Sequence, residues 1–451
     1  FHLREGIPWV RWNGEEVEEV VDCEGNVRYV TAHDFEYAAK RTCNPETASD
    51  YAYVLGFALQ GCNELLGADM GALSDEEKQA LIDGVAIEAL DDYTLEVTFT
   101  TPAVYNLNII GMWTAHAQPW WVIEGDECTQ AQGDRWTEPG FNQAYGPYAL
   151  EEWVHDSYIL LTKNPFWPGI ESVPVPQIEK IKGFMLIESA AMAEYEAGNL
   201  DFNDNPPIAD LDRIKADPVL SAEYTNMPRG CTYYYGFNTS KPPVDNVHMR
   251  RALSHAIDRQ GLVENVTKGG QQPARWFCRP GMAGCPTMES HPEAGIGSDP
   301  EAAKAELQAY MDEMGYTSVD EIPEIILMYN TSEGHKRIAE AISEMWKETL
   351  GIEVTITNQE WKVYLKTLQE DSPHIWRLGW CLDYPDANNW TREVFAIGGH
   401  EEAATQWRNE EFTALLEEAA VETDLATRQD MYAEAETILC YEDAAIIPIY
   451  W

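Results

Sequence analysis

From Tyr233 onward the chain alternates strand-like and helix-like segments, and this alternation constrains the fold more than any other feature. Tyr233–Phe237 reads as a strand and Pro242-Pro243 as a breaker. Val247–Val263 reads as a helix with Met249, Leu253, Ala256 and Ile257 on one face. Asp299-Pro300 supplies an N-cap followed by proline at the first helical position, opening a helix that ends near Gly315. A third helix runs from Ser332 to Leu350-Gly351, and the strand Glu353–Thr357 follows it. A long amphipathic helix, Asp424–Leu439, leads into Ala444–Tyr450. No repeat or low-complexity segment interrupts this order, so the class is α/β.

The first half is less regular. Residues 7–30 read as short strands: Trp9–Trp12, a turn at Asn13-Gly14, and Val27–Val30 after Gly25. Thr31, with Asp34 three positions later, caps a helix that carries Phe35, Tyr37 and Ala38. Thr94–Phe99 alternates as a strand, Tyr148–Val154 and Tyr158–Leu161 form a hairpin, and Ser189–Ala197 is a helix closed by Gly198. A length of 451 residues allows two to three domains of roughly 150 residues each.

Charge removes several functions. With 77 acidic against 30 basic residues the net charge is −47. A polyanion of this kind cannot displace counterions from phosphates, which excludes nucleic acid as a partner and disfavours anionic lipid. The acidity fits a soluble protein, and salty surroundings would screen its self-repulsion. No apolar run is long enough to span a bilayer as a helix. The nine cysteines contain no CxxC, and an odd number leaves at least one thiol unpaired within the chain. Cys278 and Cys285, around Pro280-Gly281, are spaced to close a small loop. Phe1 and Trp451 both sit in stretches that read like strand interiors, so the chain is expected to be a fragment of a longer exported protein.

Catalytic signatures are missing: GxSxG, HExxH, GxxxxGK[ST] and GxGxxG do not occur. Asp201-x-Asn203-x-Asn205 begins like a calcium loop but places Pro206 where that loop requires glycine, and a capped turn explains it. Sixteen tryptophans and many carboxylates suit a carboxylate-dependent glycoside hydrolase. Core aromatics and a solvated acidic surface account for the same composition.

The informative segment runs from His374 to Pro385. As a strand it places Arg377, Gly379, Cys381 and Asp383 on one face and Trp376, Leu378, Trp380 and Leu382 on the other. A cation and an anion then share a face roughly 20 Å apart at about 3.3 Å per residue. Gly379 lies between them and leaves room for another backbone. Such a face could hold an extended zwitterionic peptide by strand addition, its amine at Asp383 and its carboxylate towards Arg377. Alternatively, the charged residues only reach solvent or neighbouring groups.

Motifs spread along the chain, in order, carry a family resemblance. They include Thr31-Ala32-His33-Asp34-Phe35, Asp92-Tyr93-Thr94-Leu95, Gly146-Pro147-Tyr148, Ala197-Gly198-Asn199-Leu200-Asp201 and Phe237-Asn238-Thr239-Ser240-Lys241-Pro242-Pro243. Further along come Ala256-Ile257-Asp258-Arg259, Tyr329-Asn330-Thr331-Ser332, Asn358-Gln359-Glu360-Trp361 and Gly379–Tyr384. The chain resembles the extracytoplasmic solute-binding proteins of ABC transporters, in their oligopeptide- and dipeptide-binding family (family 5).

That resemblance implies a periplasmic-binding-protein-like α/β fold (type II, three-segment cluster) with two lobes closing over a ligand cleft. Residues 1–143 would be the extra domain of this cluster, 144–230 part of the first lobe, and 231–451 the second lobe. It implies a non-enzymatic receptor without a cofactor or metal, monomeric and extracytoplasmic. A lipid anchor would lie on a preceding segment. The receptor would capture short peptides of about three to five residues and deliver them to the membrane permease of an ABC importer. Oligosaccharide or another solute is the alternative within the same fold.

Residue by residue, Asp383 matches the carboxylate that receives the peptide amino group. Arg377 and His335 match two positions used for the peptide carboxylate. Trp361 and Trp380 match pocket walls, Asn330 a pocket lining, and Tyr51 a tyrosine beside the amino terminus. Gly379 and Cys381 belong to the ligand strand, and Cys231 and Cys381 occupy positions matching a family disulfide. If Ser332 caps its helix, His335 falls in the first turn, where backbone N–H groups favour an anion. Leu368 and Gly236 depart from the pattern, standing where peptide-binding relatives carry charged side chains.

Overall fold

The computed structural model describes all residues, Phe1–Trp451. They fold into two compact units, Phe1–Leu186 and Ile187–Trp451.

In the first unit, β1 (Val10–Trp12) pairs antiparallel with β2 (Val17–Glu19) across the Asn13-Gly14 turn. Helix α1 (Ala32–Cys43) starts at Thr31 with the expected reciprocal cap between Thr31 and Asp34. α2 (Ala52–Ala58) follows, and β3 (Ile87–Asp91) forms a hairpin with β4 (Thr94–Val97). β5 (Gln143–Ala144) adds to β1. β6 (Tyr148–Val154), β7 (Tyr158–Lys163) and β8 (Lys180–Phe184) form a second antiparallel sheet. Trp9 anchors the core, edge-on to Trp121 and Tyr145, with Val20, Val30 and Val122 around it. Its indole N–H donates to buried Asp34 at 3.2 Å. Disulfides Cys23–Cys128 and Cys43–Cys62 close this unit. Val27–Val30, expected as a strand, makes only isolated bridges, Val21 with Val27 and Pro8 with Tyr29. Arg28 N–H donates to Val20 O and Val30 N–H to Ile7 O, so the segment changes partner between successive bonds and builds no continuous ladder.

The second unit opens with α3 (Glu188–Glu196) and is built on a five-stranded mixed sheet. Its strands are β9 (Cys231–Phe237), β10 (Ile325–Asn330), β11 (Val354–Gln359), β12 (Ile375–Cys381) and β13 (Ile446–Tyr450), in the order β11-β10-β12-β9-β13. Six helices of this unit matter below: α4 (Val247–His255), α5 (Pro300–Met314), α6 (Glu333–Leu350), α7 (Trp361–Asp371), α8 (Thr391–Phe395) and α9 (Leu425–Thr437). β10 runs parallel to β11 and β12 because α6 and α7 supply the crossovers, whereas β9 is antiparallel to both β12 and β13.

Tyr235, Phe237, Met249, Leu253, Leu327, Ile338, Ile342, Trp346 and Ile447 form one buried cluster between sheet and helices. The single helix expected over Val247–Val263 breaks after His255. Asp258 accepts from the Gly261 N–H at 2.9 Å and caps a separate short turn. The buried Arg259 that follows binds the carbonyls of Ser254 and Pro448. Cys231 and Cys381 are bonded between paired strands, and Cys278 is bonded to Cys285. Cys440 is a buried free thiol.

Candidate functional site

β12 lies at the centre of the sheet, yet one of its edges is open. Leu382 N–H donates to Gly230 O at 2.7 Å, continuing the antiparallel ladder with β9. Antiparallel alternation therefore directs the backbone groups of Trp376, Leu378 and Trp380 towards β9 and those of Arg377, Gly379 and Cys381 the other way. On that other side the ladder with β10 has only two steps, Leu327 with Ile375 and Met328 with Trp376. The strands separate at the Tyr364 hydroxyl, which donates to Arg377 O at 2.6 Å and lies 3.3 Å from Met328 O. Past this wedge, Gly379 and Cys381 are exposed and their outward N–H and C=O groups have no strand partner. Trp376, Leu378 and Trp380 are buried on the opposite face, as alternation requires.

Arg377 stands at one end of this edge. Its guanidinium lies 4.4 Å from the Tyr233 ring centroid, and Nη1 donates to Asn330 Oδ1 at 3.1 Å. Nε is buried without an acceptor. No carboxylate pairs with this cation, although the chain has 77 acidic residues. A Cβ built on Gly379 would meet Arg377 Nη2 at 3.3 Å, so the guanidinium leans along the strand towards Asp383.

Asp383 stands at the other end, just past the last strand residue. Its N–H donates to Asn389 Oδ1 at 2.9 Å, and Asn389 Nδ2 returns a hydrogen bond to Asp383 Oδ2 at 3.0 Å. Burial raises the Asp383 carboxyl above its ordinary range, against the pull of the Asn389 hydrogen bond. It too has no ion-pair partner. Trp380 donates its indole N–H to the same Asn389 Oδ1 at 3.3 Å and packs edge-on to His400.

His335 sits in the first turn of α6, whose Ser332 cap accepts from its N–H at 3.3 Å. The helix start is not open to a ligand carboxylate. The Glu188 carboxylate, from the start of α3, accepts from the Ser332 hydroxyl and from the Glu333 and Gly334 N–H groups at 3.3 and 3.4 Å. The expectation of a vacant anion site there is thus corrected, because an acid 144 residues away fills it. Burial, reinforced by the Arg377 charge, pushes the His335 imidazole down to about 3. It is neutral at physiological pH and lies 3.4 Å from the Tyr233 hydroxyl.

The remaining nominated residues fall in different places. Asn330 ends β10 as the partner of Arg377. Trp361, 46% exposed, stacks on Tyr364 at the start of α7. Tyr51 belongs to the first unit, where its ring packs on Tyr53 and Trp113. The two departures have packing reasons. A Cβ at Gly236 would fall 2.1 Å from the Trp376 ring, and Leu368 is buried. Sequence reading missed Asn389, Glu393 and Tyr384, which support Asp383 from below. The paired amides Asn388-Asn389, close after Asp383, were their one visible signal.

Comparison with known proteins adds a family match, two relatives and two solved structures. The family model described as "Bacterial extracellular solute-binding proteins, family 5 Middle" matches residues 1–399. The oligopeptide-binding protein OppA of Bacillus subtilis is 32% identical over 458 residues, covering 100% of this chain and 76% of its own length. The periplasmic oligopeptide-binding protein OppA of Escherichia coli is 32% identical over 454 residues with the same coverage. Among solved structures, the murein tripeptide-binding protein MppA of Escherichia coli superposes with a TM-score of 0.81 at 26% identity, covering 100% of this chain and 80% of its own. The Haemophilus influenzae OppA complex with the peptide RPPGFSPFR gives 0.80 at 26% identity with the same coverage. The fold is therefore that of the type II periplasmic peptide-binding proteins.

Proposed function

This chain belongs to the family 5 bacterial extracellular solute-binding proteins, and from that premise we propose that it captures short peptides outside the cytoplasm and hands them to the membrane permease of an ABC importer. The carrying observation is a pair of opposite charges, Arg377 and Asp383, left without ion-pair partners at the two ends of an open strand edge. Leaving two such groups partly buried and unpaired costs free energy unless a ligand completes them. An extended peptide does so with one molecule. Its ammonium meets Asp383, its backbone pairs with Gly379 and Cys381, and its carboxylate meets Arg377.

We assign the ligand a length of about three to five residues. An extended tripeptide covers only about 10 Å of the roughly 20 Å between the two positions, and the lean of Arg377 towards Asp383 shortens the remainder. A monomeric receptor suffices, with residues 1–143 as its extra domain, 144–230 in the first lobe and 231–451 in the second. Calorimetry across alanine peptides of two to six residues tests the reading. We expect an optimum at three to five. An optimum at dipeptide, or no heat with any length, would refute it.

A further inference from the structure

The loop after β12 carries more acid than one anchor requires. Glu393, on α8, is fully buried. Its Oε1 receives the Tyr384 hydroxyl and, at 3.2 Å, the Asn388 amide; its Oε2 receives Asn389 Nδ2 at 2.8 Å. The other N–H of that Asn389 amide is the one that holds Asp383 Oδ2 at 3.0 Å. Asn389 Oδ1 is occupied as well, by the Asp383 N–H and the Trp380 indole. Only this amide orientation gives both carboxyls a donor. One nitrogen thus stands between two carboxyl oxygens no more than about 6 Å apart, a spacing at which two buried negative charges repel strongly.

The titratable and charged groups around Glu393 come from every neighbouring element. Asp383 and Tyr384 lie on the loop before it. Arg392 adjoins it on α8, and His400 with Glu401 lies on the loop that follows, paired at 2.9 Å. Further out, Asp386 is bound in a fully buried pair with Arg428 of α9. The Arg392 charge favours ionisation of Glu393, and the His400 charge favours ionisation of Asp383.

We propose that Glu393 is a positioning residue for ammonium capture at Asp383: it fixes the Asp383 carboxylate through the Asn389 amide and gives up its own proton when a ligand ammonium docks there. This deepens, and rests on, the peptide reading above. In the unliganded cluster one carboxyl is ionised and Glu393 keeps its proton on Oε1, where the Tyr384 hydroxyl turns from donor to acceptor. Burial holds that proton up to a pH of about 8 against the hydrogen bonds from Tyr384 and Asn389, and the Asp383 charge adds to the burial. An arriving ammonium offsets the Asp383 charge and also places a cation beside Glu393 in a buried site, so Glu393 ionises and its proton passes to solvent. The buried cluster keeps the same net charge before and after, because one cation replaces another. Binding that releases a proton strengthens as pH rises, by up to about tenfold per pH unit, until Glu393 is ionised in the free protein as well.

Calorimetry of trialanine between pH 6 and 7, where the peptide amine stays protonated, in two buffers of different ionisation enthalpy measures the exchange. The parent protein should release up to one proton per peptide and gain up to about tenfold in affinity over that unit. Glu393→Gln, which keeps an acceptor for Asn389, should bind with a flat pH profile and release none. Tyr384→Phe, which retains the acid, should still release the proton. No proton release from the parent, or the same slope in Glu393→Gln, would overturn the proposal. A carboxyl carbon NMR titration of the unliganded protein provides an arm without ligand. Asp383→Asn should lower the Glu393 midpoint, and an unmoved midpoint would overturn the coupling. Absence of trialanine binding by a protein that shows this coupling would instead overturn the peptide reading.

Discussion

Arg377→Met separates a structural role from a ligand-binding one. Within the protein, Arg377 makes one hydrogen bond to Asn330 and one cation–π contact with Tyr233, while Nε lacks an acceptor. Losing those two contacts costs about 1–3 kcal/mol. Removing a partly buried charge that no carboxylate balances returns a similar amount, and Met keeps much of the apolar stem. The variant should therefore unfold within about 1 kcal/mol of the parent. Binding should respond differently. If a peptide carboxylate is the missing partner, truncating the cation costs about 2–5 kcal/mol, a loss of about thirtyfold to several thousandfold. Calorimetry with trialanine and its C-terminal amide, on parent and variant, completes a double-mutant cycle. Amidation should weaken binding to the parent by a similar factor and make almost no further difference in Arg377→Met. An amidation penalty of equal size in both proteins would refute the pairing, as would unchanged affinity.

Asp383→Asn should weaken trialanine binding by more than about tenfold, and N-acetylated peptides should bind the parent poorly; equal affinity for free and acetylated peptides would give Asp383 another job. Because folding lowers the His335 pKa to about 3, the unfolded chain binds that proton first, and stability present above about pH 6.5 declines as pH falls towards 3. His335→Phe should flatten that acid limb in denaturation measured from pH 7 to 4, and an unaltered limb would contradict it. Replacing both Cys231 and Cys381 by Ser opens a loop of 150 residues, for which chain entropy predicts a loss of up to about 5 kcal/mol. Denaturant midpoints that match those of the parent would show that the bridge adds nothing.

Local chemistry in this sequence is a reliable guide where a motif needs only near neighbours. The caps at Thr31, Asp299 and Ser332 and the alternation through 375–381 are all present in the structure. Competition between local choices is harder to read. Val247–Val263 has a continuous helical pattern, yet Asp258 offers its carboxylate to Gly261 N–H and the helix stops. Relations between distant segments were invisible. Nothing near Ser332 announces that Glu188 fills its helix start, and nothing near Arg377 shows that no acid reaches it. Glu393 reads as one more acid among many, because a carboxyl's meaning lies in its burial and its partners.

The Tyr364 hydroxyl has a last consequence. By taking the carbonyl of Arg377 it ends the β10 ladder and leaves Gly379 and Cys381 as the outward-facing residues of the open edge. A chain adding to that edge keeps its side chains on the same faces only if it moves in steps of two residues. With two residues available, one such step would forfeit half of the backbone contacts. The tyrosine therefore sets a reading frame. Peptides of one length and different sequence would all enter in the same phase, each side chain meeting the same wall.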